Sequence, residues 1–217
     1  MAPSDGKGEV AGVLLAGGRS MRLGGGDKGL IELAGRPMLA HVIARLSPQV
    51  RRLAINANGD PARFAKFGLP VIADVIEGHA GPLAGLQAGF AWVMSAAPEA
   101  RYVVTASADA PLLPLDLVTR LRAAQRESGM AVAIAASGCA RHPVAGLWDV
   151  ALADKLAEAL RRGVRAMHAF ADENNCAVAD FAFIKAGNDS IDPFFNVNTP
   201  ADLATARTLL AAETARG

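Results

Sequence analysis

The chain has 217 residues and a formal net charge of +1, with 22 Lys and Arg residues against 21 Asp and Glu residues. This near-neutral balance argues against a nucleic-acid-binding surface, which normally carries a basic excess. No apolar run approaches the roughly 18 residues that a membrane span needs, and the first ten residues contain no apolar signal-peptide core. Cys139 and Cys176 form neither a disulfide framework nor a C-x-x-C pair. We therefore expect a cytoplasmic protein that binds neither nucleic acid nor membranes.

The length suits one α/β domain with a sizeable core and is too short for two such domains. Residues 1–9 contain Asp5, Glu9 and two glycines, and they predict a flexible leader. We expect the folded domain to span residues 10–213 and residues 214–217 to form a tail. No internal repeat and no low-complexity linker divides the chain.

The stretch from Val10 to Leu30 combines a buried strand with two glycine clusters. Val10–Ala16 is a short apolar run that is typical of a strand in a parallel sheet. Gly17-Gly18 and Gly24-Gly25-Gly26 follow it, with three cations and one anion from Arg19 to Lys28. Glycines let backbone N–H groups approach a ligand, and Arg and Lys bind phosphate oxygens. The stretch predicts a polyphosphate site, although an ordinary glycine-rich surface loop has a similar composition.

Two common phosphate-binding motifs do not account for this stretch. The P-loop pattern G-x-x-x-x-G-K-[ST] is absent, because Lys28 follows Asp27 and precedes Gly29. Gly24-x-Gly26-x-x-Gly29 matches the dinucleotide pattern G-x-G-x-x-G by letter, but it begins well beyond the predicted strand end. It therefore lacks the strand–turn–helix context that the dinucleotide pattern requires, and we treat the match as a coincidence.

Strands and helices alternate along the next hundred residues, as judged from hydrophobic periodicity and turn residues. The predicted strands are Arg51–Asn56, Leu69–Ala73, Arg101–Thr105 and Met130–Ala136. The first predicted helix opens at Arg36-Pro37-Met38, with Pro37 at its first position. The other predicted helices are Pro61–Phe67, Leu83–Met94, and one from Pro114 to about Glu127. Such alternation predicts a single-domain, Rossmann-like α/β fold, with a mainly parallel sheet flanked by helices on both faces.

The last third of the chain is less regular. His142–Trp148 predicts an edge strand, because Pro143 cannot donate a hydrogen bond to a β-ladder. Two helices and a further strand are predicted over Ala151–Arg161, Arg165–Phe170 and Val178–Ile184, in that order. Thr199 is expected to cap a closing helix, with Pro200 at its first position and Asp202 in its first turn.

Polar residues follow the predicted strands at their carboxyl ends, where ligands bind in parallel sheets. Six side chains are expected to converge on that edge: Arg19, Arg22, Lys28, Asn56, Asp74 and Asp109. Asp109 directly follows a strand and suits either a Mg²⁺ ligand or the cap of a turn. The histidines, including His142 in the pair Cys139-x-x-His142, do not predict a zinc site, because zinc needs three or four ligands at defined spacing.

The motifs resemble those of the nucleotidyltransferases that transfer a nucleoside monophosphate from an NTP. The N-terminal signature is LAGGRSMRLGGGDKGL from Leu15 to Leu30, followed by Gly35-Arg36-Pro37. Many cytidylyl and sugar-nucleotide relatives carry LAAG in place of LAGG, so the second glycine and the DKGL ending favour the guanylyl branch. The chain most resembles the molybdenum cofactor guanylyltransferases, through separate motifs in the family's order from Val13 to Leu203.

This resemblance implies roles for particular residues. The implied nucleotide-binding residues are Leu15, Ala16, Gly17, Gly18, Arg19, Lys28, Asn56, Asp74, Gly81, Pro82, Leu83 and Asp109. The implied catalytic residues are Arg22, Lys28 and Asp109, and Asp109 is the implied ligand of a Mg²⁺ cofactor. The family usually has a cysteine before this Asp, whereas this chain has Ala108, which leaves the ligand itself in place.

Two further segments match the family. Gly81–Gly85, GPLAG, resembles a segment that lies against the nucleotide, although its glycines and Pro82 also suit a tight turn before a helix. Phe195–Pro200, FNVNTP, matches an element that is thought to contact the pterin substrate, which implicates Asn196 and Asn198. Two asparagines offset by two residues on an extended segment point the same way, whereas capping of the helix needs only Thr199.

The implied reaction transfers GMP from GTP to the terminal phosphate of molybdopterin, with or without bound molybdenum, and releases pyrophosphate. Molybdenum-insertion and molybdoenzyme maturation proteins would be further partners. Two other functions stay open: a cytidylyl- or sugar-nucleotidyltransferase with the same phosphate loop, and a non-catalytic adaptor that passes the pterin to a partner enzyme. The sequence leaves the roles of Arg141, His142 and Arg165 open.

Overall fold

The structure is a computed structural model, and it describes residues 7–17, 27–75, 81–186 and 189–214. The strands are β1 (Val10–Leu15), β2 (Glu32–Leu33), β3 (Arg36–Pro37), β4 (Arg52–Asn56), β5 (Val71–Ile72), β6 (Tyr102–Ser107), β7 (Val132–Ser137), β8 (Ala140–Asp149), β9 (Cys176–Asp180), β10 (Ile184–Ala186) and β11 (Asp189–Ile191). The α-helices are α1 (Met38–Leu46), α2 (Pro82–Ala96), α3 (Leu117–Ser128), α4 (Ala153–Arg161), α5 (Met167–Glu173) and α6 (Pro200–Thr214). Pro61–Phe67, predicted as a short helix, is a 3-10 helix.

Seven of these strands form one sheet in the order β5-β4-β1-β6-β8-β7-β9. β5, β4, β1 and β6 pair in parallel, as do β7 and β9, whereas β8 is antiparallel to both of its neighbours. Every residue of β7 is buried, and in β1 and β6 only the last residue is partly exposed. Burial on both faces is typical of parallel strands. The predicted mainly parallel α/β sheet is confirmed.

Helices cover both faces of the sheet, as predicted. Successive residues of a strand point to opposite faces. Leu14 accordingly packs into a core with α1 and α3, and Val13 packs into a second core with α2, α4 and α5. Gly89 lets α2 lie close to β1, because a Cβ at this position would lie 2.9 Å from a methyl group of Val13. None of the helices in the described ranges is long and apolar enough to cross a membrane.

The edge-strand prediction for His142–Trp148 is wrong. β8 lies inside the sheet, between β6 and β7. Ile134 of β7 pairs with Gly146, but the next residue of β7 pairs with His142, so residues 143–145 bulge out of the ladder. The pairing of β8 with β6 also stops at Gly146. Because Pro143 lies in the bulge, it needs to donate no ladder hydrogen bond, and an interior strand can contain it.

Two short hairpins were not predicted. Val178–Ile184 is not one strand, because β9 ends at Asp180 and Ile184 belongs to a hairpin of β10 and β11. Pro37 is not the first residue of α1, since it has an extended ψ of 142° and pairs with Glu32 in a hairpin of β2 and β3. Strands of two or three residues contain too few positions to show an alternating pattern. Residues 7–9, at the end of the predicted leader, form a 3-10 helix.

The predicted N-terminus of α6 is confirmed. Asp202 donates its N–H to Oγ1 of Thr199 at 3.2 Å, and its carboxylate accepts the N–H groups of Thr199 at 2.8 Å and Asn198 at 2.9 Å. This reciprocal arrangement is a capping box. Partial burial raises the pKa of Asp202, but the hydrogen bonds that the carboxylate accepts outweigh it, so the pKa lies below its ordinary value.

Asp202→Asn should lower the free energy of unfolding by about 1 kcal/mol at pH 7. This loss corresponds to a decrease in Tm of roughly 2–4 °C. The carboxylate stabilises the folded chain above the ordinary Asp pKa of about 3.9, and this stabilisation disappears as the pH falls through the lower pKa of the folded state. Thermal unfolding of both proteins should therefore give Tm curves that converge below about pH 4. Asp154→Asn, in the first turn of α4 without a capping hydrogen bond, is the control. A Tm difference that does not depend on pH would contradict the assignment.

Candidate active site

A cleft of about 300 Å³ opens at the carboxyl ends of β1, β4 and β6. Its described lining residues are Leu15, Gly17, Asn56, Asn58, Asp74, Gly81, Pro82, Ser107 and Val144. The structure thus brings together six of the residues that the sequence implicated in nucleotide binding. Ala16 and Leu83 are instead buried in the two cores beside the cleft, and they do not line it. Gly18, Arg19 and Arg22 lie outside the described residues.

One side of the cleft is a network of two amides and a carboxylate. Nδ2 of Asn56, at the end of β4, donates to Oδ1 of Asp74 at 2.9 Å and to the carbonyl of Ile72 at 3.2 Å. Nδ2 of Asn58 donates to the other carboxylate oxygen at 2.8 Å, and the N–H of Asp74 donates to Oδ1 of Asn58 at 2.9 Å. The two amides fix the orientation of the carboxylate, whose oxygens keep lone pairs for further donors.

Asn58 is a site residue that was not predicted from the sequence. The signal was present, because Asn56 and Asn58 are offset by two residues at the end of a strand and can therefore lie on the same side of it.

Two glycines of the GPLAG segment are required by geometry. Gly81 has a φ of 74° and a ψ of −174°, a conformation open essentially to glycine alone, and it turns the chain into α2. A Cβ on Gly85 would lie 2.4 Å from Oδ1 of Asn56 and 2.7 Å from Cδ2 of Leu15. The segment therefore forms the tight turn before a helix, and Gly81 and Pro82 also line the cleft. Both interpretations of the segment are compatible.

The side chains of Asp109 and Asn198 both contact the ammonium group of Lys28, although the three residues are far apart in the chain. Nζ of Lys28 lies 3.2 Å from Oδ2 of Asp109, and it also donates to Oδ1 of Asn198. The side chains of Lys28 and Asp109 are 19% and 14% exposed, so this ion pair is partly shielded from water. Ser107 donates its hydroxyl to Oδ1 of Asp109, and the carbonyl of Asp109 accepts the N–H of Val197 at 2.9 Å.

Arg63 joins this group to the amide network. Its Nε lies 2.7 Å from Oδ2 of Asp27, the residue before Lys28, and its guanidinium donates to the carbonyl of Asn58. The guanidinium also lies over the ring of Phe64, at 4.9 Å from the ring centroid. Sequence reasoning missed Arg63, because its partners are identified only by the tertiary fold.

A second cleft, of about 200 Å³, adjoins the first and shares Ser107 and Val144 with it. Its other lining residues are Ala110, Leu113, Arg141, His142, Pro143, Ala145, Phe194 and Asn196. Asn196 therefore lines this cleft, whereas Asn198 is bonded to Lys28. Arg165 is not among the described lining residues of either cleft: its backbone lies beside Gly81, and its guanidinium donates to the carbonyls of Leu160 and Val164 at 2.7 and 3.0 Å.

The donor set at Asp109 suits a hard cation that is shared with a ligand. Among the described residues, no group of three or more His, Cys, Asp and Glu side chains forms a complete metal site. Asp109 offers a carboxylate that is oriented by Ser107, and Ser107 itself lines both clefts. Mg²⁺ in phosphate-transfer sites is bound by one or two carboxylates, with substrate phosphates and water as its other ligands.

Gly85→Ala should weaken binding of the nucleoside triphosphate that the sequence resemblance implies by roughly fivefold or more, because the new Cβ would displace Asn56 from Asp74. Filling tightly packed space of this kind also costs roughly 1–3 kcal/mol of stability. Gly89→Ala, one turn later in α2, is a matched control, because its Cβ would meet Val13 instead of the cleft. Titration calorimetry and thermal unfolding of both variants should show similar losses of stability but a loss of affinity only for Gly85→Ala. Equal affinities would contradict the role given to Asn56.

Residues 12–176 match the family model of the MobA-like NTP transferase domain. A molybdenum cofactor guanylyltransferase of Mesorhizobium japonicum is 44% identical over 95% of this chain and 98% of that protein. A protein of the same name from a Bradyrhizobium species is 48% identical, over 94% of each chain. The crystal structure of molybdopterin-guanine dinucleotide biosynthesis protein A from Archaeoglobus fulgidus superposes with a TM-score of 0.69 at 21% identity, covering 94% of this chain and 99% of that one. The chain is therefore a nucleotidyltransferase that belongs to the MobA-like NTP transferase family.

Proposed function

We propose that this enzyme transfers GMP from GTP to the terminal phosphate of molybdopterin or of the molybdenum cofactor. The products are molybdopterin guanine dinucleotide and pyrophosphate. Relatives named molybdenum cofactor guanylyltransferase match nearly the whole chain at 44% and 48% identity, which supports the proposal. The observation that carries it is that Ser107 lines both clefts and donates its hydroxyl to the Asp109 carboxylate. A transferase needs two substrates to meet where two clefts adjoin.

The first cleft would bind the nucleotide. Guanine carries two adjacent N–H donors on its Watson–Crick edge, and the Asp74 carboxylate, fixed by Asn56 and Asn58, is a matching pair of acceptors. Cytosine and uracil lack that pair of adjacent donors. Gly17 and Lys28 would hold the triphosphate, together with Gly18, Arg19 and Arg22, which stay proposals from the sequence.

Charge stabilisation and positioning would provide the catalysis. The acceptor is a phosphate monoester that already carries negative charge at pH 7, since its second pKa is about 6, and it needs no general base. Lys28 would hold the triphosphate in line with this nucleophile and stabilise charge on the transferred group. Asp109 would hold Mg²⁺, which supplies positive charge to the phosphate oxygens when it is bound. Ser107 would keep the Asp109 carboxylate oriented for that role.

The second cleft would bind the acceptor, with Asn196 on its wall. A cytidylyl- or sugar-nucleotidyltransferase is the second candidate, because such enzymes use the same phosphate loop, and base selectivity separates the two. The presence of both Lys28 and Asp109 disfavours an adaptor without activity. Proteins that insert molybdenum or mature molybdoenzymes are proposed partners, and the cytoplasm is the proposed location.

The first experiment is thermal unfolding with Mg²⁺ and GTP, CTP, UTP or ATP in turn. A nucleotide at about 100 times its Kd adds roughly 2.7 kcal/mol, which raises Tm by several degrees. We expect GTP alone to give this shift, and Asp74→Asn to abolish the preference by replacing one acceptor oxygen with a donor. Asp60→Asn, at the start of the 3-10 helix over Pro61–Phe67, is the control outside the cleft. A larger shift with CTP would favour the cytidylyl function.

Lys28→Ala should lower turnover by roughly 10²-fold or more, the scale of losing a preorganised charge contact in the transition state. Lys66→Ala is the matched control, because Lys66 is exposed and lies over the ring of Phe67. Pyrophosphate release from GTP and molybdopterin measures the rate. An unchanged rate for Lys28→Ala would refute the role of this lysine.

A further inference from the structure

The segment Asp192–Thr199 carries the two asparagines implicated in acceptor binding, but it belongs to neither a strand nor a helix. Its position therefore depends on individual contacts. Its later half is held by the hydrogen bond from Val197 to Asp109 and by the capping box of α6. Its earlier half, on the other side of Asn196, must be held by other groups.

His142 of β8 supplies those contacts. Its imidazole stacks on Phe194, with ring centroids 4.7 Å apart and 30° between the planes. Its Nε2 lies 3.2 Å from Oδ2 of Asp192, and the other carboxylate oxygen accepts the N–H of Phe194 at 2.8 Å. Phe194 is only 6% exposed, and its ring also meets the ring of Phe181 edge-on. One side chain thus contacts both residues of the turn at which the segment begins.

The bulge in β8 places this histidine on the wall of the second cleft. The register shift begins directly after His142, and the three bulged residues, 143–145, all line the cleft. Bulges next to binding sites redirect side chains and locally end strand pairing. His142 and the cleft wall are therefore products of the same irregularity in the strand.

The arrangement is not a Ser-His-Asp relay. The hydroxyl of Ser137 lies 2.6 Å from Nε2 of His142, which is the same nitrogen that faces Asp192. A relay uses the two ring nitrogens for different partners, and Ser137 is 1% exposed and so out of reach of a substrate. Burial lowers the pKa of His142, and the Asp192 carboxylate opposes this only in part. The ring is therefore mainly neutral at pH 7, and it acts by stacking and hydrogen bonding.

We propose that His142 is a positioning residue for the acceptor substrate. By holding Asp192 and Phe194, it fixes where Asn196 lies on the wall of the second cleft. The proposal rests on the function proposed above only in naming the acceptor. His142 does not line the first cleft, so its loss should leave nucleotide binding unchanged.

His142→Ala should raise the KM for molybdopterin about tenfold, because Asn196 is no longer held in place, while the KM for GTP and kcat change less than about twofold. His142→Phe keeps the stacking on Phe194 but loses the contact with Asp192, and it should have an intermediate effect. His168→Ala, at an exposed position of α5, is the control. Steady-state kinetics with each substrate varied in turn provides the measurement.

Hydrogen exchange tests the same proposal without the acceptor. The N–H groups of Phe194 and Val197 should exchange faster in His142→Ala, with no change in the core strands. Unchanged exchange and an unchanged KM for molybdopterin in a folded variant would overturn the proposal, as would an equal loss of GTP binding. If His142→Ala does not fold, His142→Phe gives the same two measurements. If the guanylyl function is wrong, the wild-type protein will not prefer GTP over the other nucleotides. The exchange experiment uses no nucleotide, so its result does not depend on that function.

Discussion

Burial of the parallel strands on both faces confines charged groups to the ends of the strands, and the site depends on this constraint. β1 and β6 expose only part of their last residues, and the polar groups begin where these strands end. The backbones are joined there too, since the N–H of Ala108 donates to Leu15 and the N–H of Ala16 donates to Asn56. The carboxyl ends of β1, β4 and β6 are thereby joined at the base of the first cleft. Side chains at this base need little reorganisation when a ligand binds.

The second part of the site comes from the irregular end of the chain. Segment Asp192–Thr199 contacts the rest of the site at three residues, which are Lys28, Asp109 and His142. Charge, backbone hydrogen bonding and aromatic stacking act at successive points of this segment. The first cleft is thus built mainly on the sheet, whereas the second cleft, which we propose for the acceptor, depends on contacts between the sheet and one loop. A single fold can change its second substrate through the loop without altering the sheet.

Sequence patterns predicted most of the sheet, because long apolar runs bounded by turns are local signals. Asn56, Asp74 and Asp109 were accessible to the same reasoning, since each lies at or just beyond the carboxyl end of a strand. The bulge at Pro143 was not, because a proline excludes a ladder hydrogen bond but does not reveal whether the strand is at an edge or bulged. Arg63 is paired with Asp27 only through the tertiary fold. Ala16 and Leu83 belong to matching motifs, yet they support the cleft from the core, and a motif alone does not distinguish lining from support.

The position of segment Asp192–Thr199 along the chain has a consequence for the synthesis of the protein. The last strand of the main sheet, β9, ends at Asp180, and Asn196 and Asn198 follow it. A ribosome therefore delivers every strand of the main sheet before it delivers these asparagines. Domains generally begin to fold during synthesis, so a nascent chain can assemble the first cleft while the second cleft still lacks one wall. The order of translation thus completes the lining of the first cleft before that of the second, because Phe194 and Asn196 are among the last residues to be made.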